Sequence, residues 1–370
     1  MRIGINALYL IPGKVGGTET YLRALLTSLS EIDRTNRYFV FTNRETGADL
    51  VPTAANFEQV AHPLRAVVRP DRILWEQFVL PVSAARFRLD VMLNPGFTAP
   101  LAAGCPQVTT FHDLQHKRHP ENFRWFDLPF WRFFLFWSTH VSTLLLTVSD
   151  ESARDLRRYY RVPESRIRVT PLAANPAFFE IAARRRPEPF LLCCSTLHPH
   201  KNLENLLRAF ADVRRVRPEF RLVVTGIHGF ASTAIHQLRD SLGLCDAVDL
   251  PGWIARDKLY DLFARAWGFV YPSRFEGFGL PVIEAMAAGI PTACSDIEPL
   301  RSVSDNGALL FDPCDGASIA VALFRLIGDD DLRARLTAAG PFRASAFSWC
   351  RTAQETLAAL LEAALGSEAA

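Results

Sequence analysis

The 370-residue sequence lacks a large excess of either charge. Its 41 lysines and arginines nearly balance its 39 aspartates and glutamates, which leaves a formal net charge of +2. A surface with this balance produces no field strong enough to attract a polyanion. We therefore expect no nucleic acid among the partners of this protein.

Long hydrophobic runs are also missing. No uninterrupted apolar stretch reaches about 18 residues, the length at which a membrane-spanning helix is predicted. Residues 1–6 enter a strand pattern directly, without the basic region and short apolar run of a secretory signal peptide. These two observations lead us to expect a cytoplasmic protein.

Cysteines are few and show no pairing pattern. The seven cysteines are an odd number and include no Cys-x-x-Cys spacing, which argues against a disulfide framework. The adjacent pair Cys193-Cys194 falls within a buried-strand pattern. The cysteines are therefore predicted to be reduced residues of the core.

Strand and helix patterns alternate along the whole chain, which predicts an α/β protein with doubly wound parallel sheets. The length suits about two domains. The alternation restarts near residue 190, after a proline-rich, charged segment at 173–189 that we predict to be a linker. The predicted domains are residues 1–172 and 190–347, followed by a C-terminal helix at 348–370.

Two glutamates stand eight residues apart after a predicted strand. Residues 267–273 form a short apolar run that predicts a buried strand, and a glycine-containing loop follows it. Pro281 suits the first turn of a helix, and Gly289 suits the residue just past its end. Glu276 then lies in the loop and Glu284 on the helix, at the sheet edge where ligands bind. Carboxylates at such an edge suit the hydroxyl groups of a nucleotide sugar, Glu284 the ribose and Glu276 the transferred sugar.

This segment resembles the donor-site signature of family 4 of the retaining GT-B glycosyltransferases. The resemblance rests on Gly277-Phe278-Gly279-Leu280-Pro281 and on the continuation Ala285-Met286-Ala287-Ala288-Gly289-Ile290-Pro291. It implies the GT-B fold, in which two Rossmann-like doubly wound domains face each other across a cleft. In that family the final helix crosses back onto the first domain, and residues 348–370 are expected to do so here. A helix packed only on the second domain is the alternative.

The same resemblance implies two kinds of contact from the first domain. Gly16 and Gly17 open the first long helix and are similar to the family's glycine pair that reaches the donor diphosphate. A tight structural turn is the alternative interpretation of these glycines. His112 ends a predicted strand and resembles the family histidine that contacts the transferred sugar.

Further donor contacts are implied in the second domain. Lys201 resembles the family lysine that pairs with the pyrophosphate. Many relatives carry an arginine six residues earlier, where this chain has Ser195, so Ser195 is expected to supply only a hydroxyl or amide donor. Trp253 and Ile254 resemble the segment that lines the nucleobase. The remaining predicted donor contacts are Gly277, Phe278, Gly279 and Leu280.

The resemblance implies a metal-independent retaining transferase without a cofactor, which moves a hexose from a nucleoside diphosphate sugar to a saccharide or polyprenyl-linked acceptor. His112, Glu276 and Lys201 would be its catalytic residues in a front-face mechanism. Residues 74–77 and 94–98 resemble the branch that builds bacterial O-antigen and exopolysaccharide, which favours mannose. A GT-B nucleotide-sugar epimerase and a non-catalytic nucleotide-sugar-binding protein are the alternatives.

An Asp-x-Asp pattern occurs at Asp329-Asp330-Asp331, as in metal-dependent GT-A glycosyltransferases. Because it directly precedes an amphipathic run, we interpret it as a helix N-terminus and predict no metal site.

The segment from Phe123 to Trp137 contains nine aromatic residues in fifteen. Helical spacing predicts one buried stripe and leaves a second apolar face, which we expect to meet a membrane surface or the lipid tail of an acceptor. This would place the protein peripherally at the inner membrane face. A helix packed between other elements or in a dimer contact is the alternative. The predicted stripe is Phe130, Phe133, Phe134, Trp137 and Val141, and the second face is Trp131, Leu135 and Phe136.

Overall fold

The computed structural model describes residues 1–227 and 229–366. The chain divides into two compact units. The first unit combines Met1–Leu172 with the C-terminal segment that begins at Trp349, and the second unit is Ala173–Ser348. Residues 367–370 of the predicted C-terminal segment lie outside the described residues.

The first unit contains a parallel sheet of seven strands in the order β3-β2-β1-β4-β5-β6-β7. These strands are β1 (Arg2–Asn6), β2 (Arg37–Thr42), β3 (Phe57–Ala61), β4 (Val91–Asn94), β5 (Gln107–Phe111), β6 (Leu144–Thr147) and β7 (Ile167–Val169). Ile5 in β1 aligns with Val40 on one side and Leu93 on the other, and all three are fully buried. Such continuous apolar strands are expected when helices cover both faces of a sheet.

The helices of the first unit lie between these strands, with one more at the C-terminus. They are α1 (Gly17–Ile32), α2 (Arg69–Leu74), α3 (Leu80–Arg86), α4 (Gln115–Arg118), α5 (Leu128–Val141), α6 (Asp150–Tyr160) and α15 (Trp349–Gly366). A π-helical turn, Trp75–Val79, joins α2 to α3. The sequence pattern does not predict β3, because this edge strand is largely exposed and lacks a continuous apolar run.

The second unit has a parallel sheet of six strands in the order β10-β9-β8-β11-β12-β13. The strands are β8 (Glu188–Cys194), β9 (Arg221–Thr225), β10 (Val248–Gly252), β11 (Ala266–Tyr271), β12 (Thr292–Ser295) and β13 (Leu309–Phe311). The helices are α7 (Pro176–Ala182), α8 (Leu203–Val216), α9 (Ser232–Ser241), α10 (Arg256–Arg265), α11 (Leu280–Ala287), α12 (Leu300–Ser304), α13 (Gly316–Gly328) and α14 (Asp330–Ala344). The buried strand predicted at 267–273 is present as β11.

Each sheet changes its direction of growth at one pair of neighbouring strands. In the first unit the pair is β1 and β4, and in the second unit it is β8 and β11. Loops leave such a pair in opposite directions, so a crevice opens at the carboxyl ends of the two strands, and ligands of open α/β sheets bind there. Polar residues near these two switch points are therefore candidates for ligand binding.

The segment predicted as a linker, 173–189, is partly helical. Asn175 caps α7 by accepting a hydrogen bond from the amide of Ala177, and Pro176 occupies the first turn. Phe178 and Ile181 on α7 are buried in the second unit. Pro176 in the predicted linker therefore begins a helix, and β8 starts at Glu188 within the same segment.

The C-terminal helix α15 belongs to the first unit. It packs on α1 and on β4 and β5. Trp349 lies 6.3 Å from Tyr21 between ring centroids, the hydroxyl of Thr352 donates to the carbonyl of Pro171, and Arg168 forms an ion pair with Glu362.

Candidate active site

The two switch-point loops of the second unit bring a lysine and a glutamate together. Lys201 ends a short 3-10 turn after β8, and Glu276 lies in the loop after β11. Lys201 Nζ donates to Glu276 Oε1 over 2.6 Å, and the two side chains are only 14% and 10% exposed. The sequence placed these residues 75 positions apart. The parallel sheet makes them neighbours because β8 and β11 are adjacent.

The loops that carry the pair are fixed by backbone hydrogen bonds. The amide of Arg274 donates to the carbonyl of His200 over 2.8 Å. Asn202 has a left-handed backbone, with φ near 58°, and its buried side-chain amide donates to the carbonyls of Pro272 and Pro313. Asparagine tolerates this conformation better than most residues. The lysine and the glutamate are therefore held in place by their own loops.

Tyr271, at the end of β11, is a third member of this cluster that the sequence analysis missed. Lys201 Nζ donates to its hydroxyl over 3.1 Å. Burial raises the pKa of the Tyr271 phenol well above its ordinary value, and Glu276 raises it further, so the hydroxyl stays protonated. A signal was present, because Tyr271 is a polar-tipped residue at the carboxyl end of a predicted strand. The phenol and the carboxylate thus use two of the three N–H donors of the ammonium.

Glu284 lies on α11, one turn after the loop that carries Glu276. Its side chain is partly buried, and loss of hydration raises the pKa of the carboxyl to about 8, while Arg256 opposes the shift. Burial disfavours the charged form of an acid, so this carboxyl titrates near neutral pH. The structure therefore places Glu284 in an environment unlike that of an exposed helix glutamate.

The residues between the two glutamates form the start of α11. Gly279 has φ near 99°, and a Cβ there would lie 2.2 Å from the side chain of Leu300. Only glycine suits this position. Phe278 and Leu280 are buried, and Phe278 packs edge-on against Phe347 at 5.5 Å. The apolar side chains fix the loop, which leaves the backbone of Gly277 and Gly279 as the polar part of the segment.

The other predicted donor contacts of the second unit are Ser195, Trp253 and Ile254. Ser195 is buried directly after β8, and its amide donates to the carbonyl of Thr225. Trp253 is exposed after β10. Ile254 lines a groove of about 800 Å³ together with Arg221 and residues of α10. No hydrogen bond or ion pair of the described residues joins Trp253 or Ile254 to Glu276.

His112 follows β5 in the first unit and is buried. Its Nε2 lies 2.9 Å from the carbonyl of Pro95, which can only accept, so Nε2 carries the proton and Nδ1 is an acceptor. Burial lowers the pKa of His112 to about 4, although the Pro95 contact opposes the shift. The rings of Tyr21 and Phe97 pack edge-on against it at 4.9 and 5.2 Å. His112 is therefore a neutral imidazole of defined tautomer near pH 7.

Gly16 and Gly17 stand at the start of α1. Gly16 is the residue before the helix, with φ near 60°, and Gly17 is its first residue. A Cβ at either position would meet no atom within 4 Å, so open space surrounds them. The amide of Gly13 donates to Glu19 over 2.7 Å and closes the loop. The left-handed backbone of the turn favours glycine at Gly16. Lack of space for a side chain does not explain either glycine.

The aspartate run is a helix N-terminus, as predicted: Asp329 caps α14 by accepting a hydrogen bond from the amide of Leu332 over 2.9 Å.

The cysteines are all free thiols, but the prediction that they lie in the core is wrong for Cys245, Cys314 and Cys350, which are exposed. Within residues 1–227 and 229–366, no group of three or more His, Cys, Asp or Glu side chains is arranged to hold a metal ion.

The aromatic segment exposes more rings than its spacing predicted. Leu135 is buried in α5, and Trp131 packs against the core, so these residues do not form an outer face. Phe133 and Trp137 were assigned to the buried stripe, and that assignment is wrong because both are exposed. The exposed aromatic side chains of the segment are Trp125, Phe126, Phe133, Phe136 and Trp137.

Comparison with known proteins agrees with this architecture. Residues 175–342 match the family described as Glycosyl transferases group 1, and residues 15–178 match Glycosyltransferase Family 4. The chain is similar to O-antigen chain mannosyltransferase B of Escherichia coli, with 31% identity over 68% of each chain. It is also 30% identical to O-antigen chain mannosyltransferase RfbU of Salmonella typhimurium strain LT2, over 57% of this chain and 58% of that relative, which is less than two thirds of its length.

A solved structure has the same fold at lower identity. The Anabaena protein Alr3699/HepE, solved in complex with UDP and glucose, superposes with a TM-score of 0.73 at 18% identity and covers 96% of this chain and 98% of its own. Two Rossmann-like units with parallel sheets of seven and six strands form the GT-B fold. The chain belongs to the group 1 glycosyltransferases, and its N-terminal part matches the family 4 domain.

The raised pKa of Glu284 predicts a pH dependence of stability. Between its ordinary pKa of 4.5 and its folded pKa of about 8, the folded protein binds more protons at this site than the unfolded chain. The contribution of Glu284 to the free energy of unfolding therefore falls as the pH rises through this window. We expect Glu284→Gln to gain stability relative to the parent protein between about pH 5 and pH 8. Urea unfolding at several pH values measures this difference.

The exposed Glu204 on α8 provides the matched control. Glu204→Gln should keep the same pH dependence as the parent protein. A Glu284→Gln variant whose stability runs parallel to that of the parent across the window would show that this carboxyl titrates normally.

Proposed function

We propose that this glycosyltransferase moves a hexose, with mannose favoured, from a nucleoside diphosphate sugar to a saccharide or lipid-linked saccharide, with retention of configuration and without a metal. The observation that carries the proposal is the Lys201–Glu276 pair at the switch point of the second unit. It supplies a cation for a leaving phosphate and a carboxylate for sugar hydroxyls in one largely buried place.

Lys201 is the electrostatic group of the proposed mechanism. Two of its N–H donors are directed to Glu276 and Tyr271, and the third can reach a phosphate oxygen of the donor. As the bond between sugar and phosphate breaks, negative charge grows on the departing pyrophosphate. A fixed ammonium at low exposure stabilises that charge more in the transition state than in the ground state.

Glu276 and His112 orient the sugar in this proposal. The contact with Lys201 uses one oxygen of the Glu276 carboxylate and leaves the other to accept from a hydroxyl group. For His112 we carry over the role that the family resemblance implies, contact with the transferred sugar. Its neutral ring supports that role, because Nδ1 can accept a hydrogen bond from a sugar hydroxyl and the ring places no positive charge near an oxocarbenium-like sugar.

The proposed donor and acceptor are supported by the names of similar proteins. The HepE structure is a complex with UDP and glucose, and the two curated relatives are O-antigen mannosyltransferases. These names support a nucleotide-sugar donor, a mannose preference and a saccharide acceptor. Gly16, Gly17, Ser195, Trp253, Ile254 and Gly277 to Leu280 are the proposed donor contacts, with Glu284 on the ribose.

The proposed function predicts a selective loss of turnover in Glu276→Gln. The carboxylate acts mainly as the glycosidic bond breaks, so kcat should fall by about 10²- to 10³-fold while donor affinity changes by less than about threefold. The donor would first be chosen by thermal shift with GDP-, UDP- and dTDP-sugars. Transfer to a saccharide acceptor would then be followed by NMR, which also reads the anomeric configuration of the product.

The same experiment separates the alternatives. An inverted product would contradict retention, and equal kcat values for parent and variant would contradict the role of Glu276. Release of an epimerised sugar without acceptor would identify an epimerase, and donor binding without any turnover would identify a binding protein.

Activity should persist after treatment with EDTA, because charge compensation is assigned to Lys201 and to backbone amides. The measurement is the transfer rate before and after chelation, followed by addition of magnesium or manganese. A rate that EDTA abolishes and either metal restores would refute the metal-independent mechanism.

A membrane-facing role is the remaining part of the proposal. None of the helices in the described part of the chain combines the length and hydrophobicity that a membrane crossing requires. Peripheral contact would instead use the exposed rings near α5, where Trp125 is 85% exposed. The exposed cations Arg124 and Arg132 lie in the same segment. Aromatic rings beside cations suit the headgroup region of an anionic bilayer.

A second exposed apolar stripe borders the first. Leu74, Phe78 and Val82 follow one another at four-residue spacing on the helical run that contains the π turn, and all three are exposed. The side chain of Gln77 bonds the backbone of Ala99 and Leu101, and the amide of Ala99 donates to Ser138 on α5. The helical run and α5, which carry these exposed residues, therefore contact the same loop. Together the exposed residues exceed what isolated surface apolar side chains explain.

We expect the parent protein to co-sediment with vesicles of phosphatidylglycerol and phosphatidylcholine, and Trp125→Ser/Phe133→Ser to bind them several-fold less. Phe342→Ser in α14 is the matched control, because Phe342 is equally exposed but lies in the second unit. Absence of binding by the parent, or equal binding by parent and double variant, would refute the membrane contact.

A further inference from the structure

One carboxylate of the first unit is buried where the sequence pattern would expose it. Glu76 is 2% exposed in the π-helical turn, whereas Leu74 and Phe78 on the same turns are 57% and 69% exposed. A helix that only covered a sheet would have the opposite arrangement. A π turn often marks a functional site, and a local conflict between pattern and structure points in the same direction.

Glu76 lies beside the switch point of the first sheet. Its polar neighbours include Asn6, the last residue of β1, and Thr98, in the loop that follows β4. Asn6 donates to Asn94, the last residue of β4, over 3.2 Å. Phe97 in the same loop has φ near 72°, a conformation that costs a non-glycine residue strain and occurs preferentially at functional sites.

The hydrogen bonds of this region satisfy the amides but leave one oxygen of the acid without a partner. Asn94 donates on to Gln107 and Thr109, and Thr109 bonds Ser142, which completes a buried network. Among the described residues, neither Glu76 Oε1 nor the Nε of Arg72 has a hydrogen-bond partner, although both atoms are buried. Burial raises the pKa of the Glu76 carboxyl, and Arg72 is the strongest influence that opposes the shift.

An unpartnered acceptor and an unpartnered donor thus occur four residues apart on one helical run. Buried polar groups are almost always paired, so such a combination requires an explanation. A hydroxyl group donates one hydrogen bond and accepts others, and it can therefore satisfy a carboxylate oxygen and a guanidinium N–H at the same time. A polyol offers several hydroxyl groups at fixed spacing, which an apolar or purely anionic ligand does not.

We propose that Glu76 and Arg72, at the β1–β4 switch point, form a hydroxyl-binding site for the saccharide acceptor. Glu76 Oε1 accepts from an acceptor hydroxyl and Arg72 Nε donates to it. The proposal rests on the glycosyltransferase function proposed above and assigns the acceptor to side chains of the first unit. Both are binding residues in this assignment, and neither takes part in bond breaking.

The test uses the full chain and a panel of methyl glycosides of mannose, glucose, galactose and N-acetylglucosamine. Saturation-transfer NMR reports binding of the panel, and calorimetry reports binding of the nucleotide-sugar donor. We expect at least one glycoside to bind the parent protein. Glu76→Gln should weaken that binding, and raise the KM for a productive acceptor, by about tenfold or more, because the amide replaces an acceptor oxygen by a donor.

Two readouts distinguish this role from a structural one. The donor Kd should stay within about twofold of that of the parent, and the variant should keep a cooperative melting transition, since Gln keeps the shape of Glu although Arg72 loses its neighbouring charge. Glu31→Gln, at an exposed position at the end of α1, is the control and should leave all readouts unchanged. A second variant, Arg72→Lys, should also weaken glycoside binding because it lacks the Nε donor.

The outcomes decide the proposal separately from the proposed function. No glycoside binding by the parent, unchanged binding by Glu76→Gln, or a loss of donor affinity and melting temperature together would overturn the hydroxyl-binding site. A protein that binds glycosides through Glu76 but neither binds nor uses any nucleotide sugar would instead refute the transferase proposal and leave this site supported.

Discussion

The close approach of Lys201 and Glu276 depends on the adjacency of β8 and β11. An ion pair at such low exposure loses much of its hydration, and attraction repays that loss only when the geometry is fixed. If their loops were flexible, the long side chains of Lys201 and Glu276 would lose much conformational entropy on forming the 2.6 Å contact between Nζ and Oε1. Hydrogen bonds from the Asn202 side chain and the Arg274 amide fix the two loops. The parallel sheet brings these loops next to each other.

The two units use the same structural device with different chemistry. At the switch point of the second unit, a cation, a phenol and a carboxylate are mutually bonded. At the switch point of the first unit, an amide network is complete while Glu76 and Arg72 retain unpartnered atoms. The first arrangement suits a charged ligand that competes for an ammonium. The second suits a ligand rich in hydroxyl groups, because Glu76 offers an acceptor and Arg72 a donor.

Much of the fold was predictable, and the failures have identifiable causes. Buried strands such as β8 and β11 are continuous apolar runs bounded by turn residues, so their pattern is strong. The edge strand β3 has no such run, since it is exposed, and it was missed. Helix α7 was not predicted, because a proline is as typical of a linker as of the first turn of a helix. The faces of α5 were misassigned, as helical spacing alone cannot show which of two apolar stripes meets the core.

The sequence by itself determined the motif around Glu276, the alternation of strands and helices, and hence the family, because these are local patterns of residue type and spacing. Tertiary structure alone decided that Lys201 meets Glu276 and Tyr271, that His112 is a neutral Nε2-protonated ring, and that Glu76 is buried. Contacts of this kind join residues tens of positions apart through strand order. Burial and tautomer depend on the complete surroundings of a side chain, which no local pattern specifies.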